Sequence, residues 1–153
     1  MTSILRNVPA LLNKNVDGLG LDNTAFNAKL AVTSPGGAVY PLHVDNVDEN
    51  GGDIRKLTCI IYLNPEYKDG DGGELRLHLV GGEVVDLTPV GGRCVMFWSD
   101  EIPHEVLPTA PGAQENEEEF DRYALTIWIP SSRENLHVEG SKFQKLREEA
   151  FGK

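Results

Sequence analysis

Residues 70–87 read GDGGELRLHLVGGEVVDL. On an extended chain Leu75, Leu77 and Leu79 fall on one side, with Arg76 and His78 on the other. That period-two pattern marks a half-buried strand. The clusters Gly70-Asp71-Gly72-Gly73 and Gly81-Gly82 bracket it as turns, and 83–87 (EVVDL) opens the next strand. The same grammar extends outward in both directions. Candidate strands are 28–33, 38–43, 56–63, 74–79, 83–87, 93–98, 104–107 and 122–129. Further breaks fall at Ser34-Pro35-Gly36-Gly37, Asn50-Gly51-Gly52 and Gly91-Gly92. Short strands with no intervening helix predict a mainly β fold, a sandwich or a double-sheet jelly roll.

The bulk composition agrees. A chain of 153 residues, 40% hydrophobic and 25% charged, is sized for a single soluble globular domain spanning 1–153. Its 16 glycines and 9 prolines exceed what a helical bundle tolerates. The 14 basic residues against 24 acidic ones give a net charge of −10. That balance argues against a nucleic-acid partner, which needs a basic footprint on phosphates. No apolar run approaches the roughly 18 residues of a membrane span, so no membrane partner is expected. Val8-Pro9-Ala10-Leu11-Leu12 is too short and too interrupted for a signal-peptide core. Cys59 and Cys94 form no C-x-x-C pair and are expected as two reduced, buried thiols. That usage predicts a cytoplasmic or nuclear protein, and a monomer is expected.

Short helices should flank the strands. Ile4, Val8, Leu11 and Leu12 suit one that Gly18 and Gly20 stop. Ser141 can cap another over 141–151, with Phe143, Leu146, Ala150 and Phe151 on one stripe. Packing on the outside of the sheet is the expected use of that stripe, ahead of a partner-binding helix. The polar stretch 109–121, with Glu115, Glu117, Glu118, Glu119 and Asp121, reads as a solvated insertion, or alternatively a lid.

Four histidines are candidates for chemistry. His78 alternates with leucines on the polar side of its strand, and His137 sits in a charged stretch; both read as surface or structural residues. His43 differs because Asp45 follows two residues later, on the same side of an extended chain. His104 opens another strand after the turn Ser99-Asp100-Glu101-Ile102-Pro103. Two imidazoles and a carboxylate are the parts of the facial triad that holds non-haem Fe(II) with open positions; a zinc site or no site stays open at this level. In 122–129, Arg122, Ala124, Thr126 and Trp128 share a face. A buried cation needs a partner, and a dicarboxylate would satisfy it through two parallel hydrogen bonds. The alternative is pairing at the rim with Asp121 or Glu119.

The ordered segments His43-Val44-Asp45-Asn46, Leu57–Asn64, Gly72–Arg76, Met96–Asp100, Pro103–Pro108 and Arg122–Trp128 carry a resemblance. Over roughly 28–130 the chain resembles the catalytic domain of 2-oxoglutarate- and Fe(II)-dependent prolyl 4-hydroxylases, above all the hypoxia-inducible-factor (Egl-nine type) group. The resemblance implies a double-stranded β-helix with iron on His43, Asp45 and His104. It puts Tyr62 and Arg122 on the distal carboxylate of 2-oxoglutarate, Thr126 nearby, and Leu75, Val106 and Trp128 around the pocket. Thr33 stands near a position where relatives carry a pocket tyrosine, Ile61 replaces another tyrosine, and Arg55 matches a substrate-contacting position. The interval from His104 to Arg122 is longer than in those relatives. The implied catalytic set is His43, Asp45, His104 and Arg122. The implied reaction consumes O2 and 2-oxoglutarate, with ascorbate as reductant, and hydroxylates a proline in a protein or peptide; in some relatives this serves oxygen sensing. Rival readings are an oxygenase with another substrate and a catalytically silent metal-binding or interaction module.

Overall fold

The computed structural model describes residues 2–36, 40–46, 54–110, 121–131 and 148–151. Helix α1 (Thr2–Asn15) leads into β1 (Asn27–Thr33), β2 (Tyr40–His43), β3 (Arg55–Tyr62), β4 (Leu75–His78), β5 (Val84–Leu87), β6 (Cys94–Trp98), β7 (His104–Val106) and β8 (Arg122–Pro130). Every expected strand forms among the described residues, with ends shifted by one residue; positions 38–39 of the second lie outside the described residues. The strands make two antiparallel sheets in the orders β1-β8-β3-β6 and β2-β7-β4-β5. Neighbours in a sheet are mostly not neighbours in sequence. The chain therefore passes from sheet to sheet, which is the jelly roll.

The larger sheet is apolar on both faces, and each face has its own core. Between the sheets, Ile60, Tyr62, Phe97 and Ala124 pack with Leu75 of the smaller sheet. On the outer face, Leu57, Cys59, Ile127 and Ile129 pack with Leu19 and Leu21, covered by Leu5, Val8 and Leu12 of α1. Burial on both faces explains why β3 and β8 read as near-continuous apolar runs, while β4, solvated on one face, alternates. Of the expected stripe, Val8 and Leu12 pack on the sheet, joined by Leu5; the Ile4 side chain lies outside the described residues. Leu11 is 62% exposed, because at 100° per residue it points away from the sheet. The Asn13 side chain then pins the next segment, donating to the Leu21 carbonyl and accepting from the Leu21 amide, both at 2.8 Å.

Two buried polar anchors fix strands around the interior. Asn64 accepts from the Tyr123 amide at 2.7 Å and donates to the Pro89 carbonyl at 2.7 Å. Lys56 donates to both oxygens of Asp100 at 2.9 Å and to Glu101 at 2.7 Å. An ammonium this deep needs such partners, and the pairing ties β3 to the turn before His104.

Cys59 is buried as expected, but Cys94 is exposed, because it lies on the uncovered part of the outer face of edge strand β6. Residues 148–151 are helical. The rest of the expected 141–151 helix, His137 and loop residues 111–120 lie outside the described residues. Among the described residues no helix is long and apolar enough to cross a membrane.

Candidate metal centre and acid pocket

His43 ends β2 and His104 opens β7; the register places them directly opposite each other. Asp45 sits in the bend just after β2. The His43 Nε2 atom lies 3.5 Å from Asp45 Oδ1, and the His104 Nε2 atom 3.8 Å from the same oxygen. One donor atom from each residue falls within 4.8 Å of the others.

Hydrogen bonds aim these donors. His43 Nδ1 meets the Pro41 carbonyl at 2.7 Å, and His104 Nδ1 meets the Ile102 carbonyl at 3.0 Å. A carbonyl can only accept, so each Nδ1 carries a proton; in the neutral ring each Nε2 keeps a lone pair toward Asp45, and when His43 is protonated its Nε2 donates to Asp45 instead. Asp45 is oriented in the same way. Thr58 Oγ1 donates to Asp45 Oδ2 at 2.6 Å and shares a 2.8 Å hydrogen bond with Ser99 Oγ. That occupies one carboxylate oxygen and leaves Oδ1 between the two imidazoles. Phe97 packs edge-on against His104, with ring centroids 4.6 Å apart.

The electrostatics keep the set ready for a cation. Burial raises the Asp45 carboxyl, but hydrogen bonds from His43 and Thr58 and the nearby His104 outweigh it and hold the group at about 2. His43 is raised, chiefly by its hydrogen bond to Asp45. His104 is lowered by burial, against the pull of Asp45. The Asp45 anion is therefore present at any ordinary pH, and His104 stays neutral near pH 7.

The second half of the site runs along the inward side of β8. Thr58 pairs with Trp128, Ile60 with Thr126 and Tyr62 with Ala124. Trp128 thus stands at the metal end and Arg122 at the far end. Arg122 is 2% exposed. Its Nε donates to the Gly73 carbonyl at 2.8 Å, and its guanidinium lies 5.2 Å from the Tyr62 ring centroid. Burial lowers its pKa. Among the described residues no carboxylate pairs with it. Asp121 instead accepts from Ser34 Oγ at 2.8 Å, and Glu119 lies outside the described residues. Among the described residues, the buried Tyr62 hydroxyl and Trp128 indole N–H make no close hydrogen bond, with Arg122 near the first and Asp45 near the second. A buried cation and a hydroxyl without a close hydrogen bond, in an apolar lining, fit a carboxylate-bearing ligand.

The structure places the other expected residues as follows. Leu75 is fully buried and pairs with Val106 across the smaller sheet. Thr33 is buried directly opposite Arg122. Arg55 places its guanidinium 5.6 Å from the Trp128 ring centroid, at the metal end. Ile61 stands opposite Cys94 in the outward-facing row, away from the pocket. His78 pairs with Glu105 at 3.0 Å on the outer face of the smaller sheet, as a surface residue should.

Residue-type reasoning missed Thr58, Ser99 and Gly73. The hydroxyls carry no spacing signal, since strand 3 and the turn after strand 6 meet only in the fold. Gly73 had a visible sign in the Gly72-Gly73 pair. Its φ is +73°, and a Cβ there would sit 2.7 Å from Arg122 Cδ. Gly73→Ala should therefore displace Arg122 and weaken binding of a dicarboxylate in this pocket by about tenfold, a loss of about 1.4 kcal/mol. Calorimetric titration with a dicarboxylate checks this; an unchanged affinity would mean that Arg122 tolerates the displacement.

The fold and site together define a jelly roll with a two-histidine, one-carboxylate cation centre and a buried arginine placed to receive an acid. The comparisons with known proteins agree. The 2OG-Fe(II) oxygenase superfamily model matches residues 28–130, and the chain belongs to that family. Prolyl hydroxylase EGLN3 of Mus musculus is 36% identical over 122 residues, which cover 78% of this chain and 46% of that protein. Egl nine homolog 1 of Homo sapiens is 38% identical over 123 residues, covering 76% and 25%. The chain thus spans less than half the length of these curated relatives. A Pseudomonas putida prolyl-4-hydroxylase structure matches with a TM-score of 0.72 and 32% identity, covering 86% of this chain and 64% of the other. A Trichoplax adhaerens prolyl hydroxylase, solved with a hypoxia-inducible-factor oxygen degradation domain peptide, matches at 0.68 and 28%, covering 85% and 54%.

Proposed function

We propose that this chain hydroxylates a prolyl residue in a protein or peptide, using O2 and 2-oxoglutarate and releasing succinate and CO2. The observation that carries the reading is the convergence of His43, Asp45 and His104 at one end of the barrel interior with Arg122 and Tyr62 at the other. Similarity to prolyl hydroxylases on both sequence and structure supports the substrate class.

His43 Nε2, Asp45 Oδ1 and His104 Nε2 would hold Fe(II); two imidazoles and a carboxylate on one side of a cation leave positions for other ligands. When bound, iron supplies the dioxygen chemistry that couples cosubstrate oxidation to hydroxylation. The chain's own residues position and insulate. Arg122 grips the far carboxylate of the dicarboxylate with its terminal nitrogens while its Nε stays on Gly73. The Tyr62 hydroxyl, which makes no close hydrogen bond among the described residues, adds a donor to the same group. Leu75, Val106 and Trp128 keep water out of the barrel, and Thr126 lies between the two ends. Arg55, whose guanidinium lies beside Trp128 at the metal end, is the residue we assign to the peptide. Intact free thiols accord with a cytoplasmic or nuclear site of action, which we also propose.

The test is incubation of the full chain with Fe(II), 2-oxoglutarate, ascorbate and a panel of proline-containing peptides. Expected are succinate and a peptide mass gain of one oxygen atom. Succinate without any peptide gain would overturn the substrate class, and no succinate under any condition would leave a silent module.

The pH dependence of metal binding follows from the three ligands. Protons compete for a donor only where it titrates. Asp45, held at about 2, does not compete, and His104, lowered, competes only at acid pH. His43, raised, takes its proton first as pH falls. Divalent-metal affinity should therefore fall by about tenfold per pH unit on entering the imidazole range, with the slope of one proton. Isothermal titration with Co(II) at stepped pH checks this. A flat profile across the imidazole range would remove His43 from the ligand set.

A further inference from the structure

We propose that Cys59 and Cys94 form a dithiol modification site, closing to a disulfide across β3 and β6 when a peroxide supplies the oxidant. They are the chain's two cysteines, and the fold brings their sulfurs to 3.5 Å across 35 residues of sequence. The register sets Cys59 opposite Met96 and Ile61 opposite Cys94, so the thiols meet diagonally on the outer face of the larger sheet. The site described above uses the other face of β3, through Thr58 and Tyr62. No third metal-ligating group joins the two sulfurs among the described residues, so a closed tetrahedral metal site is not built there.

The two thiols differ in a way that assigns their roles. Cys94 is exposed and Cys59 is buried. Burial and the adjacent sulfur push the Cys59 thiol up to about 12, so it stays protonated near pH 7. First attack therefore belongs to Cys94, the thiol a peroxide can reach. The Cys94 sulfur attacks the O–O bond of hydrogen peroxide, forming the sulfenic acid and releasing one water once protons are balanced. The Cys59 sulfur then attacks the Cys94 sulfur. The S–S bond forms, the S–O bond breaks, and the departing hydroxide takes the Cys59 proton as a second water. In sum, two thiols lose two electrons and two protons, and one peroxide is reduced to two waters.

Bond formation requires the sulfurs to close from 3.5 Å to about 2.05 Å. Strand β6 stands at the edge of the order β1-β8-β3-β6 and is hydrogen-bonded on one side, so it is the strand that can yield. Cys59, by contrast, is held within a strand flanked on both sides.

The test treats the full chain, kept iron-free with a chelator, with one equivalent of hydrogen peroxide. The product is denatured, alkylated with a maleimide and weighed intact. Expected is a monomer lighter by two hydrogens that takes up no maleimide, against two labels before oxidation or after a dithiol reductant. In Cys59→Ser, Cys94 should be trapped as a dimedone adduct; in Cys94→Ser, the same dose should leave Cys59 unoxidised. Oxidation of Cys94 to a sulfinic acid or an interchain dimer, with Cys59 still labelled, would overturn the proposal. Neither iron nor 2-oxoglutarate enters the assay, so its result stands apart from the hydroxylase reading.

Discussion

Asp45→Asn should abolish succinate formation, with at least a thousandfold loss expected by order of magnitude, and weaken divalent-metal binding by at least about a hundredfold. The substitution keeps the side-chain volume and removes the charge. Asp45 is the triad's anionic donor, and its Oδ1 lies between the two Nε2 atoms. An asparagine amide offers a neutral oxygen at best. Its NH2 group would face either Thr58, whose hydroxyl now donates to Oδ2 at 2.6 Å, or the two imidazoles. The first choice breaks the orienting bond and the second points donors at the metal position. Neither disturbs the apolar cores, so circular dichroism and thermal unfolding should report a folded chain. Wild-type succinate formation by this variant would refute the metal centre.

Arg122→Ala should raise the half-saturating 2-oxoglutarate concentration by roughly a hundredfold, or about 3 kcal/mol, with metal affinity unchanged. The guanidinium is 2% exposed, and among the described residues no carboxylate forms an ion pair with it. A dicarboxylate entering the wild-type pocket gains a paired, hydrogen-bonded cation in a site shielded from water. In the variant its far carboxylate would be desolvated with little more than the Tyr62 hydroxyl for company. Arg122→Lys keeps the charge but loses the two parallel bonds and the Nε contact to Gly73, so its rescue should be partial. Cosubstrate titration read separately from Co(II) binding distinguishes this from general damage. An unchanged half-saturation value would make Arg122 a structural residue tying β8 to the turn before β4.

Much of the site was legible because its residues sit in local patterns. His43 and Asp45 are two apart on one segment, and Arg122, Thr126 and Trp128 share one side of β8 by alternation. Both follow from the period of an extended chain. Thr58, Ser99 and Gly73 were not legible in that way. Each acts through a partner more than ten residues away, reached by sheet pairing that local periodicity does not encode. One position of the helix stripe departs from its spacing for a related reason. Ile4, Val8, Leu11 and Leu12 satisfy a loose helical spacing, yet docking angle decides which stripe meets the sheet, and Leu11 lost.

The amino-acid sequence by itself determined the strands and their turns, since alternation and glycine clusters act over a few residues. It also determined the donor types available for chemistry. Only the tertiary structure decided which strands became neighbours. The order β2-β7 brings His104 opposite His43, and β3-β6 brings Cys94 to Cys59. It likewise decided that backbone carbonyls hold both Nδ1 protons and that Arg122 has no carboxylate partner among the described residues. These are contacts between distant segments, fixed by how two apolar sheet faces pack together rather than by any residue's immediate neighbours.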